Sequence, residues 1–186
     1  RFYTLSLHDA LPIYLILKRP AFRPTGSAPF VTKQAVLDQL RAVLQADLDT
    51  LTRAAQGAFA AATDPDSKAE NKYDTRTLEA SYIARGQAKR VAELQEAVQA
   101  FAALSGVEVD EGSPALLGCL VILEGPDGRD HYFIGPSEGG TEIVYEGREV
   151  VLITPSSPLG QKLVGKRAGD SVPIRPGVSA KVVNVL

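Results

Sequence analysis

Ser157-Pro-Leu-Gly-Gln-Lys-Leu-Val-Gly-Lys-Arg-Ala-Gly-Asp-Ser-Val172 reads as one compact unit. Ser157 has the short oxygen-bearing side chain that caps a helix N-terminus, and Pro158 suits the first helical position, where its missing N–H is no loss. Leu159, Leu163 and Val164 then share one face of a short helix. Gly165 is the residue type that ends such a helix in a left-handed conformation. Gly169-Asp170 turns the chain into a strand that begins near Val172.

Working downstream, Ser171–Ile174 and Ser179–Val185 pair around the turn Arg175-Pro-Gly177. Upstream, the pattern has the period of strands. Leu116–Leu123 is a near-continuous apolar run, Pro126-Asp127-Gly128 is a hairpin turn, and Arg129–Ile134 alternates, with His131 and Phe133 facing one way and Tyr132 and Ile134 the other. Glu142–Tyr145 and Glu149–Ile153 are further short strands. Residues 113–186 therefore predict an antiparallel sheet with one short helix against it, an α+β domain. Gly106–Ser113 is a hinge.

Before the hinge the period becomes helical. Leu37, Leu40, Leu44, Leu48, Leu51, Ala55 and Phe59 recur at steps of three and four. Thr32–Ala62 would measure roughly 45 Å if fully helical. A second helix over Asp66–Leu104 carries Leu78, Tyr82, Val91, Leu94, Val98 and Phe101 as its apolar positions. Thr63-Asp64-Pro65 breaks the run, and so short a break between two long helices implies an antiparallel pair. Residues 31–106 thus read as a two-helix coiled-coil hairpin projecting from the sheet domain, each stripe narrow enough to be buried in the seam. The alternative is a compact bundle, which lacks a further helical run to complete it.

The Ser-Pro, aliphatic, short helix, Gly-Lys, Gly-Asp, Val order closely resembles the C-terminal signature of the bacterial GreA/GreB transcript cleavage factors. Ser157, Pro158, Leu159, Gly165, Lys166, Gly169 and Asp170 carry the resemblance, which covers the chain from Thr32 to Leu186 and implies an FKBP-like sheet domain behind the hairpin. It also implies a site at the hairpin tip, Asp64-Pro-Asp-Ser-Lys-Ala-Glu-Asn-Lys-Tyr-Asp74. Asp66 matches the family's tip Asp, Glu70 and Asn71 its Glu-Asn pair, and Tyr73 its Tyr, with Asp64 in support. The implied function is to bind RNA polymerase through its secondary channel and to lend it Asp66 and Glu70. These carboxylates would help hold a Mg²⁺ ion shared with the polymerase, which then cuts backtracked RNA. Nascent RNA and DNA would be met within the elongation complex. Such a protein binds no cofactor alone, is not itself the enzyme, and is expected to be a cytoplasmic monomer. The chemistry is sound, because Mg²⁺ takes carboxylate and water oxygens and commonly only one or two protein carboxylates.

The tip departs from the family pattern. Glu70-Asn71 sits one place late, so Asp66 and Glu70 are four apart and not three. Between Asp64 and Arg76 four acids face three bases, Lys68, Lys72 and Arg76, and a nearly neutral tip attracts a metal less than an acidic one. Ser67-Lys-Ala-Glu70 also reads as a capping box, with Asp64 and Asp66 complementing a helix dipole. A non-cleaving channel regulator of the same architecture therefore stays open. The related Rnk regulator has a shorter hairpin. An FKBP-like prolyl isomerase would need an aromatic cluster for a proline pocket, which is missing here, and a generic coiled-coil adaptor is the remaining class.

Composition narrows the field further. The chain has 186 residues, 45% apolar and 23% charged, with a net charge of −2 and no Trp. Nothing suggests wrapping of nucleic acid by charge alone. Cys119, the one cysteine, lies in an apolar run and reads as packing, and with only His8 and His131 beside it a Cys/His zinc site is excluded. The apolar run Pro12–Leu17 is too short to span a bilayer and is followed, not preceded, by Lys18-Arg19. Arg1–Ile13 resembles translated sequencing-adapter sequence, residues 18–30 read as a linker, and the chain has no Met. Arg1–Phe30 is thus expected to be a non-native or disordered leader. Without its four basic residues and one acidic residue the chain carries −5. His131 is expected to be packed or solvated, and Gly135-Pro-Ser-Glu-Gly-Gly140 to be a turn, since it lacks the Lys and following helix of a phosphate loop.

Overall fold

A computed structural model describes residues 32–63, 76–104, 109–110 and 112–186. The leader expected over 1–30 and the tip between the two helices lie outside the described residues.

Two long helices come first. α1 spans Lys33–Thr63 and α2 spans Arg76–Ala103. Thr32 starts α1, its Oγ1 accepting from Ala35 N at 3.4 Å and its carbonyl from Val36 N at 3.2 Å. The helix stops at Thr63, two places before Pro65, a residue type that cannot continue it. At the other end of the pair, Arg41 Nε donates to Phe101 O at 3.0 Å, and its Nη2 donates to Ala102 O and Leu104 O. The last carbonyls of α2 lack helical partners, so one guanidinium satisfies three of them and sets a cation against the negative helix end.

Six strands follow: β1 Leu120–Gly125, β2 Gly128–Ile134, β3 Glu142–Tyr145, β4 Arg148–Ile153, β5 Ser171–Arg175 and β6 Val178–Val185, with α3, Pro158–Leu163, between β4 and β5. The sheet order is β3-β4-β2-β1-β6-β5. It is antiparallel except at one place: β2 and β4 run parallel, His131 opposite Val150 and Ile134 opposite Ile153. The expected all-antiparallel sheet is corrected here. β3 turns back on β4 as a hairpin, and this places β4 beside β2 in the parallel sense.

The apolar run at 116–123 is also shorter as a strand than expected. β1 begins at Leu120, and Leu116 is 53% exposed in the turn before it. Cys119 N donates to Leu116 O at 3.0 Å and closes that turn, so the first residues of the run face out while Leu120, Val121 and Leu123 face in. Cys119 is buried, as read from its setting.

Strand alternation divides the core in two. Leu120, Phe133, Val150 and Leu152 lie on one face under Val36, Leu37, Leu40 and Leu44 of α1 and Leu94, Ala97 and Phe101 of α2. On the other face Val121, Leu123, Ile134, Ile153, Val172 and Val182 pack with Leu163 of α3, Ala115 and Cys119. The base of the helical hairpin is therefore a layer on the sheet. Leu48 and Leu51 still reach the edge of that layer, and from Thr52 to Thr63, about 18 Å of helix, no α1 side chain joins it.

Beyond the base the seam does not follow the expected stripe. Phe59 is 65% exposed, Leu78 56% and Tyr82 67%. There the helices meet across a shallow groove bordered by Thr52, Ala55, Ser81, Ala84 and Ala88. These small side chains line the groove, while the large apolar ones turn outward.

Candidate functional site

Asp64, Asp66, Glu70, Asn71 and Tyr73, the residues expected at the tip, all lie outside the described residues. What the structure gives is the platform beneath them: two helices whose outer halves stand clear of the sheet. Among the described residues no group of three or more His, Cys, Asp or Glu side chains could hold a metal ion. No helix among them is long and apolar enough to cross a membrane.

The C-terminal signature is described in full, and each of its residues has a local physical task. Ser157 takes an extended backbone and its Oγ accepts from Gly160 N at 3.1 Å, the N-cap bond read from the sequence. The same Oγ donates to Thr154 O at 2.7 Å, tying the cap to the end of β4. Pro158 opens α3, and Leu159 packs partly against the core on that face. Gly165 adopts φ +83°, where a side chain would be strained. Its N–H donates to Ala115 O at 2.8 Å, and Ala115 N donates to Lys166 O at 2.7 Å, so the signature is stitched to the segment that leads out of the hinge. Asp170 Oδ2 accepts from Arg167 N at 2.8 Å, and Gly169 N donates to Val182 O at 2.8 Å. The guanidinium of Arg167 donates to Gly112 O. The signature thus builds a rigid corner of the sheet domain, with Lys162 and Val164 on its exposed side.

Sequence reading missed Gly160. A Cβ there would lie 1.9 Å from Thr154 O and 2.9 Å from Ser157 Oγ, so only glycine lets the helix sit on its own cap. It also missed the pairing of Arg90 on α2 with Glu138 in the loop before β3. Arg90 Nη1 donates to Oε1 at 3.1 Å and Nη2 to Oε2 at 2.6 Å. Residues 48 apart in sequence carry no local signal of such a contact. The loop itself is a turn, as expected: Thr141 N and Oγ1 both donate to Glu138 O, and Gly140 N donates to Leu152 O.

His131 is 8% exposed on β2. Burial holds its imidazole below the ordinary value, and the charges of Arg148 and Arg129 push the same way. The unfolded chain therefore binds a proton more readily than the folded one. This histidine's contribution to stability is complete above the unfolded value of about 6.5 and is lost as pH falls below it. Urea midpoints measured between pH 7.5 and 5.5 should fall for the natural chain and fall less for His131→Gln; equal slopes would remove His131 as the cause.

No protein-family model and no curated protein matches the chain. Solved structures do. The crystal structure of GreA factor homolog 1 (Gfh1) of Thermus thermophilus is 19% identical with a TM-score of 0.33, over 78% of this chain and 94% of that one. A second structure, of the transcription factor Gfh1, gives 19% identity and a TM-score of 0.33, over 78% and 92% of the two chains. Gfh1 of Thermus aquaticus is 21% identical with a TM-score of 0.32, over 77% of this chain and 92% of that one.

Proposed function

We propose that this chain is a transcription elongation factor that binds bacterial RNA polymerase, docks by its sheet domain, and passes its helical hairpin into the secondary channel. The observation that carries the reading is the Ser157–Val172 unit. Its residues resemble the GreA/GreB signature, and it folds as cap, short helix and double turn behind a hairpin whose outer half stands free. An isomerase pocket is disfavoured by the position of Phe133, the sheet domain's one phenylalanine, which is fully buried against Phe101.

In this reading Asp66 and Glu70 act at the tip, supported by Asn71, Tyr73 and Asp64. Two carboxylates are a donor set that Mg²⁺ accepts, and the ion would supply activation of the attacking water inside the polymerase. The chain's own part is to carry the acids there on a stiff arm. A second reading, a non-cleaving regulator of the same channel, is favoured by the four-residue spacing of Asp66 and Glu70 and by Lys68, Lys72 and Arg76 among them.

One experiment tests both. The double variant Asp66→Ala/Glu70→Ala is expected to lose at most about 1–2 kcal/mol of stability, from capping. It should bind the polymerase as the natural chain does and fail to stimulate cleavage in a backtracked complex. A natural chain that binds yet never stimulates cleavage, at any Mg²⁺ concentration, selects the non-cleaving regulator. Absence of binding by either form removes the polymerase reading.

A further inference from the structure

The hairpin rests on the sheet through an apolar layer, and apolar contact is not directional. Leu37, Leu40, Leu94 and Phe101 hold the base down without fixing the angle at which the hairpin leaves it. A polar bond with defined geometry, placed farther out than the layer, would fix that angle. Arg90 occupies such a place. It sits one helical turn beyond Leu94, the outermost buried residue of α2, and its guanidinium meets the Glu138 carboxylate in two parallel hydrogen bonds. Fork-to-fork pairing of this kind restricts direction as well as distance.

The partner is held to match. Glu138 is a non-glycine residue at φ +56°, a conformation seldom adopted by such residues. The two Thr141 bonds hold its carbonyl, and the flanking Gly135 and Gly140 N–H groups donate to Ile153 O and Leu152 O at 2.8 Å each. Its carboxylate is only 15% exposed, against 44% for the Arg90 side chain. A constrained loop thus presents one carboxylate toward α2. On the other helix, Gln39 Nε2 donates to Val144 O at 3.0 Å, near the base.

We propose that the Arg90–Glu138 pair is a positioning latch that sets the angle of the hairpin on the sheet, and through it the location of the tip. Taking Phe101 as the pivot, Arg90 lies about 16 Å along α2 and Arg76 about 37 Å, so a play of about 3 Å at the latch becomes about 7 Å at the outer end of the helix. Displacement on that scale would carry tip carboxylates out of reach of a metal. The structural claim stands by itself; its consequence for the tip rests on the polymerase reading above.

The test uses the full chain with nitroxide labels at Ala60→Cys and Lys181→Cys, both exposed positions; Cys119 is buried. Distance distributions from pulsed electron paramagnetic resonance are compared for the natural pair, for Arg90→Gln, for Glu138→Gln and for the swap Arg90→Glu/Glu138→Arg. Helix content by circular dichroism verifies that each variant folds. The two neutralised variants should broaden the distribution by about 5 Å, from the same lever, and the swap should narrow it again. Unchanged width in both neutralised variants, or a swap as broad as they are, overturns the latch. A final arm adds RNA polymerase. Broadening together with loss of the natural chain's effect on the polymerase supports the link to the tip. Broadening in a chain that never binds polymerase leaves the latch standing and removes the functional reading.

Discussion

Replacing Phe101 by Ala should cost about 3–5 kcal/mol, a large share of the roughly 5–15 kcal/mol that holds a typical domain together. Phe101 is fully buried, and its ring lies 6.5 Å from that of Phe133, centroid to centroid, at an interplanar angle of 28°. It is the last large side chain of α2 and the one that seats the hairpin in the sheet. The fit is close, because a Cβ on Gly135 would stand 2.7 Å from Phe101 Cζ and 2.5 Å from Leu152 Cδ1. Truncation therefore opens a cavity at the joint between helix and sheet, where little else can collapse inward. Urea unfolding followed by circular dichroism should show the midpoint falling sharply. Tyr82→Ala, on the outward face of the same helix, should stay within about 0.5 kcal/mol of the natural chain. Gly135→Ala alone should cost about 1–3 kcal/mol by overpacking, and less when Phe101 is already Ala, since the two changes share one volume. Equal effects for Phe101→Ala and Tyr82→Ala would mean that the hairpin is not seated here.

The contrast between Phe101 and Tyr82 also marks how far the sequence could be read. Both belong to one helical stripe, and the period of that stripe predicts the helix correctly. It does not tell which positions are covered, because burial depends on what lies opposite. Near the base the third surface is the sheet, supplied by residues 120–152. Farther out only the other helix is present, and it offers Ala55, Thr52 and Gln56. The same limit explains Leu116. Eight apolar residues in a row predict a strand, but where the strand begins is fixed by the turn that Cys119 N closes on Leu116 O. Local chemistry was legible wherever partners are close in sequence: the Ser157 cap, the turn at Pro126-Asp127, the left-handed Gly165. Contacts across the fold, such as Arg90 with Glu138, Arg41 with the end of α2, or β2 beside β4, leave no local trace. As for the candidate site, its residue types come from the family resemblance, and the structure supplies the arm on which they would be carried.

Gly160→Ala is expected to have the second large effect, and it falls on the signature. The added methyl would stand 1.9 Å from Thr154 O, a backbone atom that cannot swing aside, and 2.9 Å from the Oγ of Ser157. Relief requires α3 to lift from the end of β4, and this breaks both bonds made by Ser157 Oγ, the cap to Gly160 N and the tie to Thr154 O. Overpacking accounts for about 1–3 kcal/mol and the lost cap for about 1 more. Ser157→Ala, which removes the bonds without the clash, separates the two, and it should cost only about 1 kcal/mol. The displacement has a consequence beyond stability. Leu163 would be drawn from the core it shares with Val172 and Val182. Gly165 and Lys166, whose backbones pair with Ala115, would lose their register. If this corner is the polymerase-docking surface, Gly160→Ala should weaken polymerase binding at temperatures where the chain is still folded, while Phe101→Ala, on the opposite face of the sheet, should leave docking of the sheet domain largely intact. Titrating polymerase with each variant below its melting point separates the cases. Loss of binding in Phe101→Ala with full binding in Gly160→Ala would place the docking surface on the hairpin side instead.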